Sequence, residues 1–479
     1  MTSTPLSALP DVTGKTAAIF GSWVLANDSA GGQQVLTDRW VITEGDRIAA
    51  ISDSRPAAAD VVLDRPGRFI LPGMMNLHNH CFSEALARTV AEDGAGPSGG
   101  KSVIYTILLP LSRTGLEVLD SAERLAAARM GVLQLLLGGA ASVMEPFRNT
   151  MPEMFAAAEE MGLRFWGAPY VFSASNPVAG KDGVSYGTGS DQGSDNHTDL
   201  ARWDALHAQW HGRGEGRIGV TMSPHATDTC DVDLLRAAGA RARELGVPIT
   251  IHLAQSAEEV ATIKSRWDGR TPAEYLDWAG LLGPDLLAAH CVYCTDADLA
   301  LMKARDVTVL NCPRVFVRTA KVAAFSRFEA AGLRTTVGTD GYNLDLLGEL
   351  NAAATVSKVT SADPRAASAP SLLRAVTRDA AQAVGRDDLG CIAPGARADL
   401  TVLDLTHPHL QPLRDPRRAA VALGNRANID AVMVDGRLLV EGGRYLHGDM
   451  AAIMAAGTAA IRKVWDQPHV RAALDAAAE

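Results

Sequence analysis

The sequence predicts an α/β fold, a (β/α)8 TIM barrel with a small composite β-sandwich domain formed by both chain ends. Three observations carry this expectation. Eight apolar, strand-like runs between positions 71 and 337 alternate with helical stretches. Short strands broken by tight turns occupy the chain before position 70 and return after 384. A length of 479 residues is enough for a large barrel and a second, smaller unit. The expected boundaries are 1–69 and 385–445 for the two parts of the β-sandwich, 70–384 for the barrel and 446–479 for a helical tail.

Taken in order, strands are expected over 17–20, 40–43, 47–52 and 61–63, with Gly45-Asp46 as a tight turn. The first barrel strand is Leu71-Pro72-Gly73-Met74-Met75-Asn76-Leu77-His78-Asn79-His80. Residues two apart on a strand share a face, so His78 and His80 project together while Asn79 points away. A Gly-rich loop over 93–100 follows, and Thr114 is read as the N-cap of an amphipathic helix running to about position 137. The remaining barrel strands fall at 141–144, 164–171, 218–222, 248–253, 286–289, 307–310 and 334–337. Helices between them include 151–161, 231–245, 297–304 and 325–331. Residues 173–196, rich in Gly, Ser and Asp, are too long for an ordinary connection and read either as a lid or as a segment without ordered structure. A helix over 373–384 closes the barrel; strands at 400–403, 420–423, 431–434 and 437–440 follow, with Asp435-Gly436 as a hairpin turn. Alanine-rich helix fills 450–479.

Composition narrows the partners. Net charge is −10, from 55 acidic and 45 basic residues, and no Lys/Arg tract offers a footprint for nucleic acid or an anionic membrane. No apolar stretch reaches membrane-spanning length, and residues 1–15 lack the basic start and apolar core of a signal peptide. Cysteines 81, 230, 291, 294, 312 and 391 are scattered; only Cys291 and Cys294 have ribbon-like spacing, and no second pair completes it. Buried free thiols in a reducing cytoplasm, beside a small-molecule substrate, are the expectation.

Chemistry on barrels of this kind gathers where strands end. The polar residues closing the strands are His78 and His80 on the first, Glu145 on the second and His225 on the fourth. His252 closes the fifth, His290 the sixth and Asp340 the eighth. Each has an ordinary explanation: His225 and His290 could be satisfied core histidines, Glu145 could pair with Arg148, and Asp340 could be a turn residue. The chain has only 12 histidines, and their concentration at strand ends points instead to a shared metal site. Imidazole and carboxylate suit a borderline divalent ion such as zinc.

With these residues in place, the chain resembles the amidohydrolase superfamily, in the branch of cytosine-deaminase-like and atrazine-degrading enzymes. The markers are Leu71-Pro72-Gly73 leading to His78-Asn79-His80, then Ser223-Pro224-His225, His252-Leu253-Ala254, Ala289-His290 and Gly338-Thr339-Asp340. The run Gly390…Pro394-Gly395-Ala396-Arg397-Ala398-Asp399-Leu400 extends the likeness over nearly the whole chain. The resemblance implies one divalent ion, Zn2+ or Fe2+, on His78, His80, His252 and Asp340. His290 would orient the attacking water, Asp340 would take its proton, and His225 would contact substrate. Relatives with two metals bridge them by a carbamylated fourth-strand lysine; residues 217–223 contain none, which favours one ion and leaves Glu145 as the alternative bridge. Relatives are commonly homo-oligomers.

Two departures from the family pattern bear on substrate. Deaminases of this branch carry glutamate three residues after the fifth-strand histidine, where this chain has Gln255. Glutamine can hydrogen-bond but cannot relay a proton to a ring nitrogen; Glu258 or Glu259 is the nearest replacement in sequence. Where relatives often have Ser-Asn after Cys-Pro, this chain reads Cys312-Pro313-Arg314-Val315-Phe316, so Phe316 supplies an apolar wall. The expected activity is metal-dependent hydrolysis of a C–N bond in a small amide-, urea- or carbamate-like molecule, aromatic or xenobiotic. The alternative is an aminohydrolase or hydrolytic dechlorinase acting on a nitrogen heterocycle. A non-catalytic scaffold is disfavoured because every expected ligand is present.

Overall fold

The computed structural model describes residues 6–27, 32–89, 104–148, 152–174, 177–180, 183–186 and 196–478. Eight parallel strands form the barrel. The first four are Met74–Asn76, Ala140–Phe147, Arg164–Val171 and a strand in two pieces, Ile218–Val220 and Ser223–Pro224. Ile249–Leu253, Leu286–His290, Thr308–Asn311 and Arg334–Val337 complete it. Isolated bridges close the ring: Met222 to Ile249 and Ala226 to His252 join the two halves on one side, and Asn79 to Asp340 joins them on the other. The interior is filled by alternating residues such as Met75 and Leu77, Met144, Trp166, and Leu287 and Ala289, so it is a packed core and not a pore.

Strands from both ends of the chain make one nine-stranded sheet. Arg68–Pro72 lies in it between Thr16–Asn27 and Leu400–Asp404, which is how the two ends meet. Ile19, Val24, Val41, Ile70, Leu400 and Val402 form its core. The run expected as a single first barrel strand is therefore divided at Gly73, with Arg68–Pro72 in the terminal sheet and Met74–Asn76 in the barrel. Gly73 is required at the crossing: a Cβ there would meet those of Ala141 and Asp399 at 2.8 and 2.9 Å, and its N–H donates to Asp399 O at 2.7 Å. Arg164, 1% exposed, locks barrel to sheet; its Nε and Nη2 donate to Asp399 at 2.7 and 3.0 Å, and Nη2 also meets Asp435.

Several elements differ from expectation. The helix expected from Thr114 is two helices, Leu109–Val118 and Ser121–Leu137, after a π-helical turn over Ile104–Leu108. Asp120 is the cap, exchanging 2.9 Å bonds with Glu123, whereas Thr114 lies within a helix facing His469. Residues 420–423 belong to a helix, Pro416–Leu423, because Asp415 caps it and Pro416 suits a first helical turn. The stretch 373–384 is interrupted at Thr377, whose φ of −129° and ψ of −95° are not helical, and Pro468 opens a second helix in the tail. Of the expected lid, a hairpin of Pro177–Gly180 and Gly183–Tyr186 is seen; 175–176, 181–182 and 187–195 lie outside the described residues, as does the 93–100 loop. Among the described residues no helix is long and apolar enough to cross a membrane.

Candidate active site

The barrel rim gathers the strand-end residues around one centre. At the closing seam the Asp340 N–H donates to His78 O at 2.9 Å and the His80 N–H to Asp340 O at 3.4 Å, so first and eighth strands present their side chains together. The ligand atoms of His78, His80 and His252 lie within 4.8 Å of one another, and so do those of His78, His290, Cys312 and Asp340. Asp340 Oδ1 is 3.8 Å from His80 Nε2, and Oδ2 is 3.4 Å from His290 Nε2. Ala254, His290, Cys291 and Asp340 all have positive φ, between 47° and 78°, an unusual conformation for side-chain-bearing residues concentrated at this rim.

Charge and hydrogen bonding show what the centre can hold. His80 Nδ1 donates to Pro146 O at 2.9 Å and His252 Nδ1 to His225 O at 2.8 Å, since a carbonyl only accepts. Their Nε2 atoms face each other at 3.4 Å. Neither nitrogen of buried His78 has a hydrogen-bond partner. Burial, then the neighbouring imidazoles, pushes His78 and His290 well below the ordinary histidine range, and burial takes His252 to about 4. Burial raises the Asp340 carboxyl, but His80, His78 and the Gly341 N–H outweigh it and hold it below the ordinary carboxylate range. Lone pairs converging on an anion without protons between them are the donor set of a divalent cation.

The other expected residues divide. His225 lies beside His252 with ring centroids 5.0 Å apart, its Nδ1 2.9 Å from Thr229 Oγ1 and its ring stacked on Phe172. Phe316 stands edge-on to His290 at 4.8 Å, and Gln255, 3% exposed, lines the cleft with its Nε2 unpartnered. Glu145 also borders the cleft, but among the described residues neither of its oxygens has a hydrogen-bond partner, Arg148 included. Burial lifts its carboxyl to about 8, only weakly opposed by Cys81 and Phe82, and it belongs to neither ligand cluster. Glu259 does not reach the cleft: it accepts from the N–H groups of Ala254 and Gln255 at 3.1 and 2.8 Å and from the Thr227 hydroxyl at 2.5 Å. It staples the loops carrying His225 and His252. Glu258 lies in the first turn of the helix Ala257–Arg266 and does not line the cleft.

Three participants escaped the sequence reading. Cys312 and Tyr170 close the seventh and third strands, where the strand-end rule would have found them had it been applied to thiol and phenol as well as to imidazole and carboxylate. Burial raises the Cys312 thiol, so it is neutral there. The segment after position 103 gives the cleft an apolar wall of Ile104, Leu108, Leu109 and Leu116, facing Phe147 and Phe316. Arg148, 5% exposed, brings the one deeply buried cation among the lining residues. The enclosed part of the cleft has a volume of about 110 Å³.

A parallel barrel with a rim centre of clustered imidazoles and one carboxylate defines a metal-dependent hydrolase. The chain belongs to the amidohydrolase family, whose profile matches residues 69–439, and it acts on carbon–nitrogen bonds with a divalent metal ion. It is 32% identical to a 5'-deoxyadenosine deaminase of Methanothermobacter thermautotrophicus, over 84% of this chain and 89% of that one. A 5-methylthioadenosine/S-adenosylhomocysteine deaminase of Moorella thermoacetica is 30% identical over 88% and 95% of the two chains. In three dimensions the chain resembles an adenosine deaminase of Xanthomonas campestris with bound zinc, with a TM-score of 0.82, 24% identity and coverage of 95% and 99%. An atrazine chlorohydrolase of Arthrobacter aurescens in complex with zinc gives a TM-score of 0.80, 22% identity and coverage of 93% and 100%.

Proposed function

We propose that the chain hydrolyses an acyl C–N bond, in an amide, urea or carbamate carrying an apolar group. His78, His80, His252 and Asp340 would hold a single ion, zinc in this reading. When bound, that ion supplies Lewis acidity and brings the proton of a water within reach of a carboxylate base. Asp340 takes that proton while His290 fixes the water's direction, and the water oxygen bonds to the acyl carbon. As the C–N bond breaks, Asp340 returns the proton to the leaving nitrogen, giving a carboxylic or carbamic acid and an amine. His225 and the Gln255 Nε2 donor position the substrate oxygen. The apolar wall and Phe316 exclude water from the rest of the molecule.

Gln255 carries this reading: at the place where a ring deaminase needs a proton carrier, the cleft offers a neutral amide with an unsatisfied N–H. A second reading, hydrolytic removal of an amino group from a nitrogen heterocycle, is supported by the deaminase relatives and by Glu145, which burial keeps protonated at neutral pH. A reducing cytoplasm belongs to the same proposal, since all six cysteines are free and five are buried. The test is a screen of metal-loaded protein against amides, ureas, carbamates and aminated heterocycles, with products identified by mass. An organic amine with its acid is expected; ammonia from aminated rings alone would overturn the acyl reading.

A further inference from the structure

Outside the metal centre, the most unusual polar cluster is built on Asp228, three residues beyond His225 and 3% exposed. Its Oδ2 accepts two phenol hydrogen bonds, from Tyr105 at 2.5 Å and from Tyr186 at 2.6 Å. The Tyr186 hydroxyl also lies 3.3 Å from Thr262 Oγ1, and the Arg266 guanidinium sits over the Tyr186 ring at 4.5 Å. Asp228 does not line the cleft, so none of this serves the reacting atoms directly.

The two tyrosines come from different places. Tyr105 lies in the π-helical turn Ile104–Leu108, which with the helix Leu109–Val118 supplies the apolar wall. Tyr186 ends the hairpin strand Gly183–Tyr186. A single carboxyl oxygen thus ties the wall segment and the hairpin to the loop that carries His225. Burying a carboxyl group is costly unless it is hydrogen-bonded; burial raises the Asp228 carboxyl, and the two phenol bonds to Oδ2 oppose that rise. Apolar residues could fill the same volume; what the polar cluster adds is a single register between wall and rim.

We propose that Asp228 is a positioning residue for substrate selectivity: by clamping Tyr105 and Tyr186 it holds the wall of Leu108, Leu109 and Leu116 at a fixed distance from the metal centre, selecting substrates with an extended apolar group. The proposal rests on the reading that this cleft is the hydrolytic site, and it applies to acyl and ring substrates alike.

The test uses Asp228→Asn and, should that variant fold poorly, Tyr105→Phe. Probes are N-methyl- and N-butyl-phenylurea or, if the wild type turns over only aminated rings, the methyl and butyl 5'-thioethers of adenosine. Three added methylenes against an ordered apolar wall favour the butyl probe by about 10-fold or more in kcat/KM. In the variants that preference is expected to fall below about 3-fold, through KM with kcat little changed. Hydrogen exchange of the 104–118 amides should rise about 10-fold while the barrel strands 249–253 and 286–290 stay protected. An unchanged probe preference with intact metal content overturns the proposal. So does exchange that rises throughout the barrel, which would make Asp228 a general stability element. Turnover of the adenosine probes alone would sink the acyl reading and leave this one standing.

Discussion

Replacing Asp340 by asparagine removes the negative charge of the centre and the proposed proton acceptor while keeping the shape. Asp340 is 7% exposed, with its oxygens 3.8 and 3.4 Å from the Nε2 atoms of His80 and His290. Its Oδ1 also accepts the N–H of Gly341, a bond the asparagine carbonyl can retain. A positioned general base contributes about 10²- to 10⁴-fold, and loss of the anionic ligand adds to this. Asp340→Asn should therefore lower kcat/KM by about 10⁴-fold or more, roughly 5.5 kcal/mol of transition-state stabilisation at about 1.4 kcal/mol per tenfold. The fold has no reason to fail, because asparagine keeps the shape of the side chain and its bond from the Gly341 N–H. The melting temperature of metal-free variant and metal-free wild type should agree within about 3 °C. The assay is steady-state turnover on the best substrate of the screen, with metal per chain measured in the same preparation. A variant holding more than a tenth of wild-type activity would show that the proton goes elsewhere.

Metal analysis should find one divalent ion per chain, and chelation should lower the melting temperature by about 5 °C or more, because the ion binds only the folded state; two ions would overturn the single-ion site. Glu145→Gln distinguishes a buried neutral acid from a bridging carboxylate. With a folded pKa of about 8 against an ordinary 4.5, the folded chain keeps a proton that the unfolded chain releases. That contribution, on the order of a few kcal/mol, is complete below about pH 4.5, shrinks as pH rises and is lost above about 8. The glutamine variant should match wild type in denaturant unfolding at pH 4 and exceed it at pH 9; loss of metal or of stability at pH 4 would mean that the carboxylate is ionised and ligating. Gln255→Glu takes away the Nε2 donor, and acyl hydrolysis should fall about 10- to 100-fold while ammonia release from 5'-deoxyadenosine becomes detectable. Undiminished acyl hydrolysis would remove Gln255 from substrate contact.

All eight barrel strands could be read from the letters because each is an apolar run bounded by turn residues. Errors arose where a local signal had two solutions. Thr114 and Asp120 are each followed three residues later by glutamate, Glu117 and Glu123. The choice was made by packing: Leu109, Leu111 and Gly115 are already helical and buried, with Gly115 close against Phe82, so the helix begins before Thr114 and a new one must start at Asp120. Residues 420–423 were too short to show a period, and the decisive letters were Asp415-Pro416, upstream of the run.

The same distinction separates the two polar clusters at the rim. His78, His252, His290 and Asp340 are far apart in sequence, yet their meeting could be anticipated, because parallel barrel strands all end on one face and the fold itself supplies the long-range information. Asp228 and its tyrosines are separated by 123 and 42 residues and join loops, for which no comparable rule exists. Strand ends fix the chemistry and tolerate little variation in place. Loops fix the wall, and a carboxyl group that ties three of them together can move that wall without touching the metal. A chain can in this way change what it hydrolyses while leaving how it hydrolyses unaltered, and Asp228→Asn, read by probe length and metal content together, separates the two.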